Sequence, residues 1–290
     1  MHEGFIIKAY GGYYYVQVGL DVWECSLRGR LRLEKRQILV GDRVQARWRH
    51  GLVGVIEKVL PRRSVFSRPP VANVGQAVVV FAFKEPEPNP WLLDRLLVLA
   101  ATEGVGVQIC FNKLDLSNGG RDQWLSRYRL AGYQVIATSA RTGAGVDVLA
   151  GALAQQVSVF AGPSGVGKSS LLNFMQPGLF RQIGEISARV KRGKHTTRHI
   201  ELLPLENGGL VADTPGFSSL DLPLLKPEQL SDFFPEMDKY RPACRFTGCL
   251  HFNEPDCAIK EALRNGKIDA LRYQNYLSFL QELKEKRRSF

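Results

Sequence analysis

The 290-residue chain is long enough for two or three domains, and its 44% hydrophobic content with moderate Gly and Pro fits a globular protein. No apolar stretch approaches the roughly 20 residues of a membrane span. The start, MHEGFIIKAYGGYYYVQV, has no basic region leading into an apolar core, so neither a helical membrane protein nor a signal peptide is expected. The net charge of +11 points to a polyanionic partner.

In chain order, residues 1–68 hold short β-like runs at Phe5–Tyr10, Tyr13–Val18, Val22–Leu27 and Arg43–Trp48, with turns at Gly11-Gly12, Gly41-Asp42 and His50-Gly51. Short strands without a convincing helix predict a small barrel of the OB type. The segment carries 13 Lys and Arg against 6 Asp and Glu, so most of the excess charge sits on less than a quarter of the chain. An RNA-binding face is expected there. Residues 69–72, Pro-Pro-Val-Ala, read as a linker.

The period then changes. Gln76–Phe83 is a continuous apolar run, as in a parallel strand buried on both faces. Helical spacing at Trp91–Thr102, Asp122–Leu130 and Val146–Ala154 alternates with strands at Val105–Phe111, Tyr133–Ala137 and Val157–Ala161. Ser169–Phe174 opens a further helix, and His199–Leu205 and Gly209–Ala212 form a hairpin through Glu206-Asn207-Gly208. This alternation predicts a doubly wound sheet with every motif below at the C-terminal end of a strand, where such sheets bind ligands. From Leu222 onward the chain reads as a helical appendage, ending in Lys284, Lys286, Arg287 and Arg288, a solvated helix end.

Four motifs carry chemistry. Gly162-Pro163-Ser164-Gly165-Val166-Gly167-Lys168-Ser169 follows a strand and, with Ser170, opens a helix. The glycines let backbone N–H groups converge on phosphate oxygens at a helix N-terminus. Lys168 reaches the β- and γ-oxygens and Ser169 offers a hydroxyl to Mg²⁺. Asn112-Lys113-Leu114-Asp115 decides GTP over ATP, because the Asp115 carboxylate accepts from guanine N1–H and its 2-amino group, donors that adenine lacks. Lys113 can lie over the base, Asn112 can tie the loops together, and Ser139 and the Ala140 N–H fit near the guanine O6. Asp213-Thr214-Pro215-Gly216 supplies a second Mg²⁺ group in Asp213 and a γ-phosphate N–H in Gly216.

Between the phosphate loop and the hairpin lies the basic stretch 188–199, where a switch with a Mg²⁺-binding Thr belongs. Thr196 and Thr197 are the candidates and Thr197 is favoured. His195 beside them is the candidate to orient the attacking water, since Phe217 occupies the position after Gly216 where many GTPases carry Gln. The base-reading motifs precede the phosphate loop, the reverse of the ordinary order, so the GTPase domain is expected to be circularly permuted.

Five cysteines is an odd count, and three of them lie near the C-terminus, which favours metal binding in a reducing cytosol over a disulfide framework. Cys244-x4-Cys249-x-His251-x5-Cys257 supplies a Cys3His set for one structural, tetrahedral zinc. Cys25 and Cys110 lie in apolar strands and are expected to be buried core thiols. The expected fold is therefore multidomain α/β. An OB-type barrel occupies 1–68, a circularly permuted P-loop GTPase domain 69–221, and a helical zinc-binding domain 222–290.

Taken together, the barrel, the order NKLD, TSA, GPSGVGKSS, KHTTRH, DTPG and the Cys3His element resemble the small-subunit-dependent GTPases of the RsgA (YjeQ/YloQ) family over essentially the whole chain. The resemblance implies a monomeric cytoplasmic enzyme that binds the small (30S) ribosomal subunit and its 16S rRNA. It also implies a role in late maturation of that subunit, and GTP hydrolysis to GDP and phosphate stimulated by it. The family's Gly-x-His-Thr-Thr switch is matched by Gly193-Lys194-His195-Thr196-Thr197. Two alternatives are a permuted GTPase acting on the large subunit, and an RNA-binding zinc protein that keeps GTP as a structural or switch ligand with little turnover. Since Asp213–Gly216 runs directly into the zinc-bearing segment, a γ-phosphate-dependent movement could pass to it without a long linker.

Overall fold

The computed structural model describes residues 1–33, 37–67, 70–117, 119–178, 200–212, 220–223 and 225–288. At the N-terminus, β1 (His2–Tyr10), β2 (Tyr13–Val18), β3 (Asp21–Leu27), β4 (Arg43–His50) and β5 (Val53–Val59) close into a barrel in the order β1-β2-β3-β5-β4. Side chains two apart point to the same face of a strand. Ile6, Val16, Trp23, Cys25, Val44, Ala46 and Ile56 thereby fill one barrel core. Neighbouring strands run antiparallel except β3 and β5, which are parallel.

Two details depart from the sequence reading. A one-turn helix, α1 (Gly29–Leu33), follows β3, and its Leu31 packs on the barrel core. Five residues are too few to show a helical period. The expected linker over 69–72 is instead a strand along 70–72: β6 (Val65–Ser67) pairs with β7 (Pro70–Ala72). Val71 and Ala72 are fully buried, and the Ala72 N–H donates to the Val40 carbonyl at 2.8 Å. Pro70 fits the first position of such a short strand, where a missing N–H does no harm.

The central sheet has six strands in the order β10-β9-β8-β11-β13-β12. It is built from β8 (Gln76–Ala82), α2 (Pro90–Thr102), β9 (Gly106–Asn112), α3 (Arg121–Leu130), β10 (Gln134–Ala137), α4 (Val146–Leu153), β11 (Val157–Ala161), α5 (Lys168–Met175), β12 (Leu202–Pro204) and β13 (Leu210–Ala212). All pairings are parallel except the β12–β13 hairpin. Every residue of β8 is buried: Val79 and Phe81 face α2, while Val78, Val80 and Ala82 face α4 and α5. That two-sided burial is why β8 reads as an unbroken apolar run rather than an alternating one.

The C-terminal region consists of 3₁₀ turns at Pro227–Phe233, Pro235–Met237 and Arg241–Ala243, then α6 (Ala258–Arg264) and α7 (Ala270–Arg288). Leu93, Leu96 and Leu97 of α2 share a core with Tyr276, Phe279, Leu280 and Leu283 of α7. A charged network is sealed into this contact. Arg272 of α7, 1% exposed, donates to Asp94 of α2 at 2.5 Å and forks onto Glu236 at 2.5 and 3.0 Å. Asn275 donates to the second Asp94 oxygen at 2.6 Å. Burial alone would disfavour the Arg272 charge, but Asp94 and Glu236 outweigh it and hold the guanidinium well above its ordinary value. For Asp94 burial wins, raising its carboxyl in spite of Arg272. Beside it, the buried Arg95 of α2 pairs with Glu282 at 2.6 Å and donates to the Leu220 carbonyl.

Removing the one cation leaves two buried carboxylates facing each other. Arg272→Met is therefore expected to destabilise the protein by about 3–5 kcal/mol. Urea unfolding followed by circular dichroism measures it, and a loss below about 1 kcal/mol would show that the network is not sealed from water.

Candidate nucleotide site and metal centre

The phosphate loop is set by two close approaches. Gly162 has φ 138°, and a Cβ there would run into the Val80 carbonyl oxygen. Gly167, φ 93°, caps α5, and a Cβ there would meet the Asn112 amide. Only glycine meets both demands. Val166 between them is fully buried and pins the loop in the core beneath α4 and α5. Ser164, Gly165, Ser169 and Ser170 are exposed, at the open end of β11 and the first turn of α5. The Lys168 ammonium donates to the Gly162 and Pro163 carbonyls, both at 2.8 Å, which draws the loop into a ring about a positive charge. A helix N-terminus, backbone N–H groups and a lysine in one place make an anion cradle.

Base-loop geometry starts from Asn112, the last residue of β9 and 1% exposed. Its Nδ2 donates to the Val166 carbonyl at 2.8 Å. Its Oδ1 accepts from the Ala140 N–H at 3.1 Å and the Thr138 hydroxyl at 3.3 Å. One buried amide thus joins the base loop, the phosphate loop and the loop after β10. Lys113 takes a left-handed conformation, φ 60°, and its ammonium donates to the Glu85 carbonyl. Leu114 and Asp115 lie in a 3₁₀ turn fastened by the Leu114 N–H to the Thr138 carbonyl at 2.9 Å. Asp115 Oδ1 accepts from the Ser139 hydroxyl at 2.5 Å, and its Oδ2 stands 3.8 Å from Arg141 Nη1. Ser139 itself is fully buried and also accepts from the Thr142 N–H at 3.1 Å. The carboxylate is thereby aimed by groups that do not depend on a ligand.

Sequence reasoning did not single out three of these partners. The Glu85 carbonyl and Pro86, 3.9 Å from where a Gly165 Cβ would be, belong to the loop after β8. Arg141 faces Asp115. The signal was available, because residues 83–89 leave the C-terminal end of a strand beside the other motifs. His195, Thr196, Thr197, Asp213, Gly216 and Phe217 lie outside the described residues.

Cys244, Cys249, His251 and Cys257 place one ligand atom each within 4.8 Å of one another. The Cys244 and Cys257 sulfurs are 3.9 Å apart, and each is 3.5 Å from His251 Nδ1. A tetrahedron with Zn–S near 2.3 Å has S–S edges of roughly 3.8 Å, so the set fits zinc without rearrangement. All four coordination positions are protein ligands, which makes the metal structural rather than catalytic. Outer contacts hold the ligand loop in place. Tyr273 and Tyr276 donate to the His251 and Leu250 carbonyls at 2.6 and 2.9 Å. Glu254 accepts from the Leu250 and Phe252 N–H groups at 3.0 and 2.8 Å. Cys25 and Cys110 are different. Burial pushes their thiols up to about 11 and about 12, so they are inert core groups.

Elemental analysis of the purified protein is expected to find one zinc per chain. Cys257→Ser should lower the stability of the C-terminal region while nucleotide affinity stays within about twofold, because the metal lies outside the phosphate and base loops. Protein purified without metal and equally stable would contradict the assignment.

Comparison with known proteins extends this geometry to the whole chain. A family model for the RsgA N-terminal domain matches residues 3–56, and one for the RsgA GTPase matches residues 59–223. The small ribosomal subunit biogenesis GTPase RsgA of Moorella thermoacetica is 49% identical over 99% of both chains. Its counterpart from Carboxydothermus hydrogenoformans is 46% identical over the same share. The crystal structure of YloQ, a circularly permuted GTPase, superposes with a TM-score of 0.81 at 38% identity, covering 99% of this chain and 96% of that one. YjeQ from Thermotoga maritima superposes with the same score at 36% identity, covering 97% and 98%. With family models over residues 3–56 and 59–223 and relatives near half identical along the full length, the chain belongs to the RsgA family of circularly permuted GTPases.

Proposed function

We propose that the protein is a cytoplasmic GTPase that acts in late maturation of the small ribosomal subunit and is stimulated by that subunit. The observation that carries the nucleotide reading is the meeting of the base and phosphate loops on Asn112 at one end of the sheet. Relatives near half identical over their full length, named for small-subunit biogenesis, support the biological setting.

In this reading Asp115, held by Ser139, accepts from guanine, and the Ala140 region faces its O6. The loop from Gly162 to Ser170 and the Lys168 ammonium bind the phosphates. Ser169 and Thr197, together with Asp213, would hold Mg²⁺, which would supply charge neutralisation at the phosphates. Water attacks the γ-phosphorus, the bond to the bridging oxygen breaks, and GDP and phosphate result. His195 is the residue assigned to orient that water, and Gly216 the one assigned to offer its N–H to the γ-phosphate. The Phe217 side chain offers no hydrogen bond to water, so intrinsic turnover is slow and the subunit stimulates it.

The barrel supports contact with 16S rRNA. Trp48 and Tyr13 are exposed on it, and Arg28 and Arg47 stay largely exposed while sharing Glu57 at 2.5 and 3.1 Å. Aromatic faces beside arginines suit unpaired bases and phosphates. The protein works as a monomer in this reading. Phe217 also favours a second reading, an RNA-binding zinc protein that keeps GTP as a switch ligand with little turnover. Turnover with and without purified small subunits decides between the two.

Asp115→Asn is expected to weaken GTP binding by about 10–100-fold and to favour xanthine nucleotides, whose 2-oxo group suits an amide donor. Competition between GTP, XTP and ATP measures it, and equal wild-type affinity for ATP and GTP would overturn the base-site assignment. His195→Ala is expected to reduce the subunit-stimulated rate by about 10²-fold with GTP affinity within about twofold, since orienting water matters only on the way to the transition state. An active His195→Ala enzyme would assign the water to another group.

A further inference from the structure

Among the described residues, a charged pair joins the barrel to the nucleotide sheet. Lys8 of β1 is 4% exposed, and its ammonium lies 3.1 Å from a Glu201 carboxylate oxygen. The two residues also form an isolated antiparallel β-bridge. Around them Ile7 of β1, Val159 of β11, Leu202 of β12, and Leu210 and Ala212 of β13 make one apolar core spanning barrel and sheet. Those side chains would hold the two bodies together without a charge. A sealed ion pair adds little net stability over an apolar pair, because desolvation offsets most of the attraction. What it adds is register: an apolar contact tolerates sliding, whereas a salt bridge on top of a β-bridge fixes which residue of β12 faces which residue of β1.

That register has consequences at both ends of the hairpin. Glu201 is four residues beyond Thr197, a span of at most about 14 Å. Leu202, the next residue, pairs with Ala212, and Asp213 follows Ala212 in the chain. The segments bearing His195 and Thr197 and the one bearing Asp213 therefore leave the two sides of one short strand pair. The barrel holds that pair by Lys8.

We infer that Lys8 is a positioning residue for GTP hydrolysis: through Glu201 it locks the β12–β13 hairpin to the barrel, so that docking of the barrel on the small subunit is felt where the hydrolytic groups enter and leave the sheet. The inference rests on the subunit-stimulated GTPase reading above. Among the described residues Lys8 pairs with Glu201, and its proposed role is to position the hairpin rather than to touch nucleotide. It acts on the rate that depends on the subunit and leaves the rate of the free protein alone.

The test compares wild type with Lys8→Met, Glu201→Gln, the charge-retaining Lys8→Arg, and the reversed pair Lys8→Glu with Glu201→Lys. GTP turnover is measured alone and at saturating purified small subunits, with GTP affinity, subunit affinity by co-sedimentation and thermal unfolding on the same preparations. Lys8→Met and Glu201→Gln are expected to lose about tenfold of the stimulated rate, with intrinsic turnover, GTP affinity and subunit affinity within about twofold. Lys8→Arg should keep at least about half of the stimulation, and the reversed pair should exceed both single variants, the signature of a direct coupling. Stimulation equal to wild type in both single variants overturns the inference, as does a loss that follows weakened subunit affinity. Should Lys8→Met fail to fold, Glu201→Asp, which keeps both charges and shortens the reach, gives the same reading, and unchanged stimulation there also overturns it. A wild-type enzyme that the subunit does not stimulate would instead bring down the functional reading itself, an outcome distinct from a stimulated wild type with equally stimulated variants.

Discussion

Everything in the candidate nucleotide site hangs on one buried amide. Asn112, 1% exposed, is a donor toward the phosphate loop and an acceptor toward the loop after β10. A carboxylate could not donate to Val166, and an aliphatic side chain would leave a buried carbonyl and a buried N–H unpaired. The amide fits because Gly167 has no Cβ to collide with it. Two residues more than fifty positions apart thus constrain each other, and the loops they belong to are brought into one site before any ligand contributes energy.

Placing the base loop ahead of the phosphate loop leaves the sheet itself intact, since β8, β9, β10 and β11 pair in parallel as a doubly wound sheet requires. What it alters is which elements carry appendages. The barrel and its short β6–β7 ribbon enter at β8 and reach across to β12 and β13. The C-terminal region leaves beyond β13 and returns to cover α2 and α3. Adjacency in sequence pointed to a direct path from Asp213–Gly216 into the zinc-bearing region. Among the described residues that region also packs on α2, through Arg272, Arg95 and a shared apolar core. The segment ahead of α2, with the Glu85 carbonyl, meets Lys113 of the base loop. The C-terminal region is thereby latched to the base-reading side of the sheet, and the barrel to the side bearing the β12–β13 hairpin.

The metal centre and the charged latch answer the same problem in different ways. The C-terminal region past β13 is short on regular structure, with three 3₁₀ turns and two helices among the described residues. A Cys3His cluster cross-links its loops locally, and Tyr273 and Tyr276 tie those loops to α7. Arg272 and its two carboxylates then fix α7 to the nucleotide domain. Zinc orders the region internally, while the latch sets where it sits.

Much of this was legible along the chain. Motifs such as Gly162–Ser169, Asn112–Asp115 and Cys244–Cys257 declare their chemistry by residue type and spacing, and the two-sided burial of β8 and the alternation of the barrel strands show in local periodicity. Short elements were not legible: α1 and the strand over 70–72 carry too few residues for a period, and their burial comes from distant partners such as Val40. Nor were the contacts that make the parts act together. Lys8 with Glu201 and Arg272 with Asp94 are separated by 193 and 178 positions, and each is an ordinary charged residue in its local sequence. Local chemistry and local periodicity are properties of neighbouring residues, so the sequence alone determined the nucleotide motifs, the metal ligands and the fold class. Which charges lose their water, and to whom, depends on how separate elements pack, and only the tertiary structure could decide that.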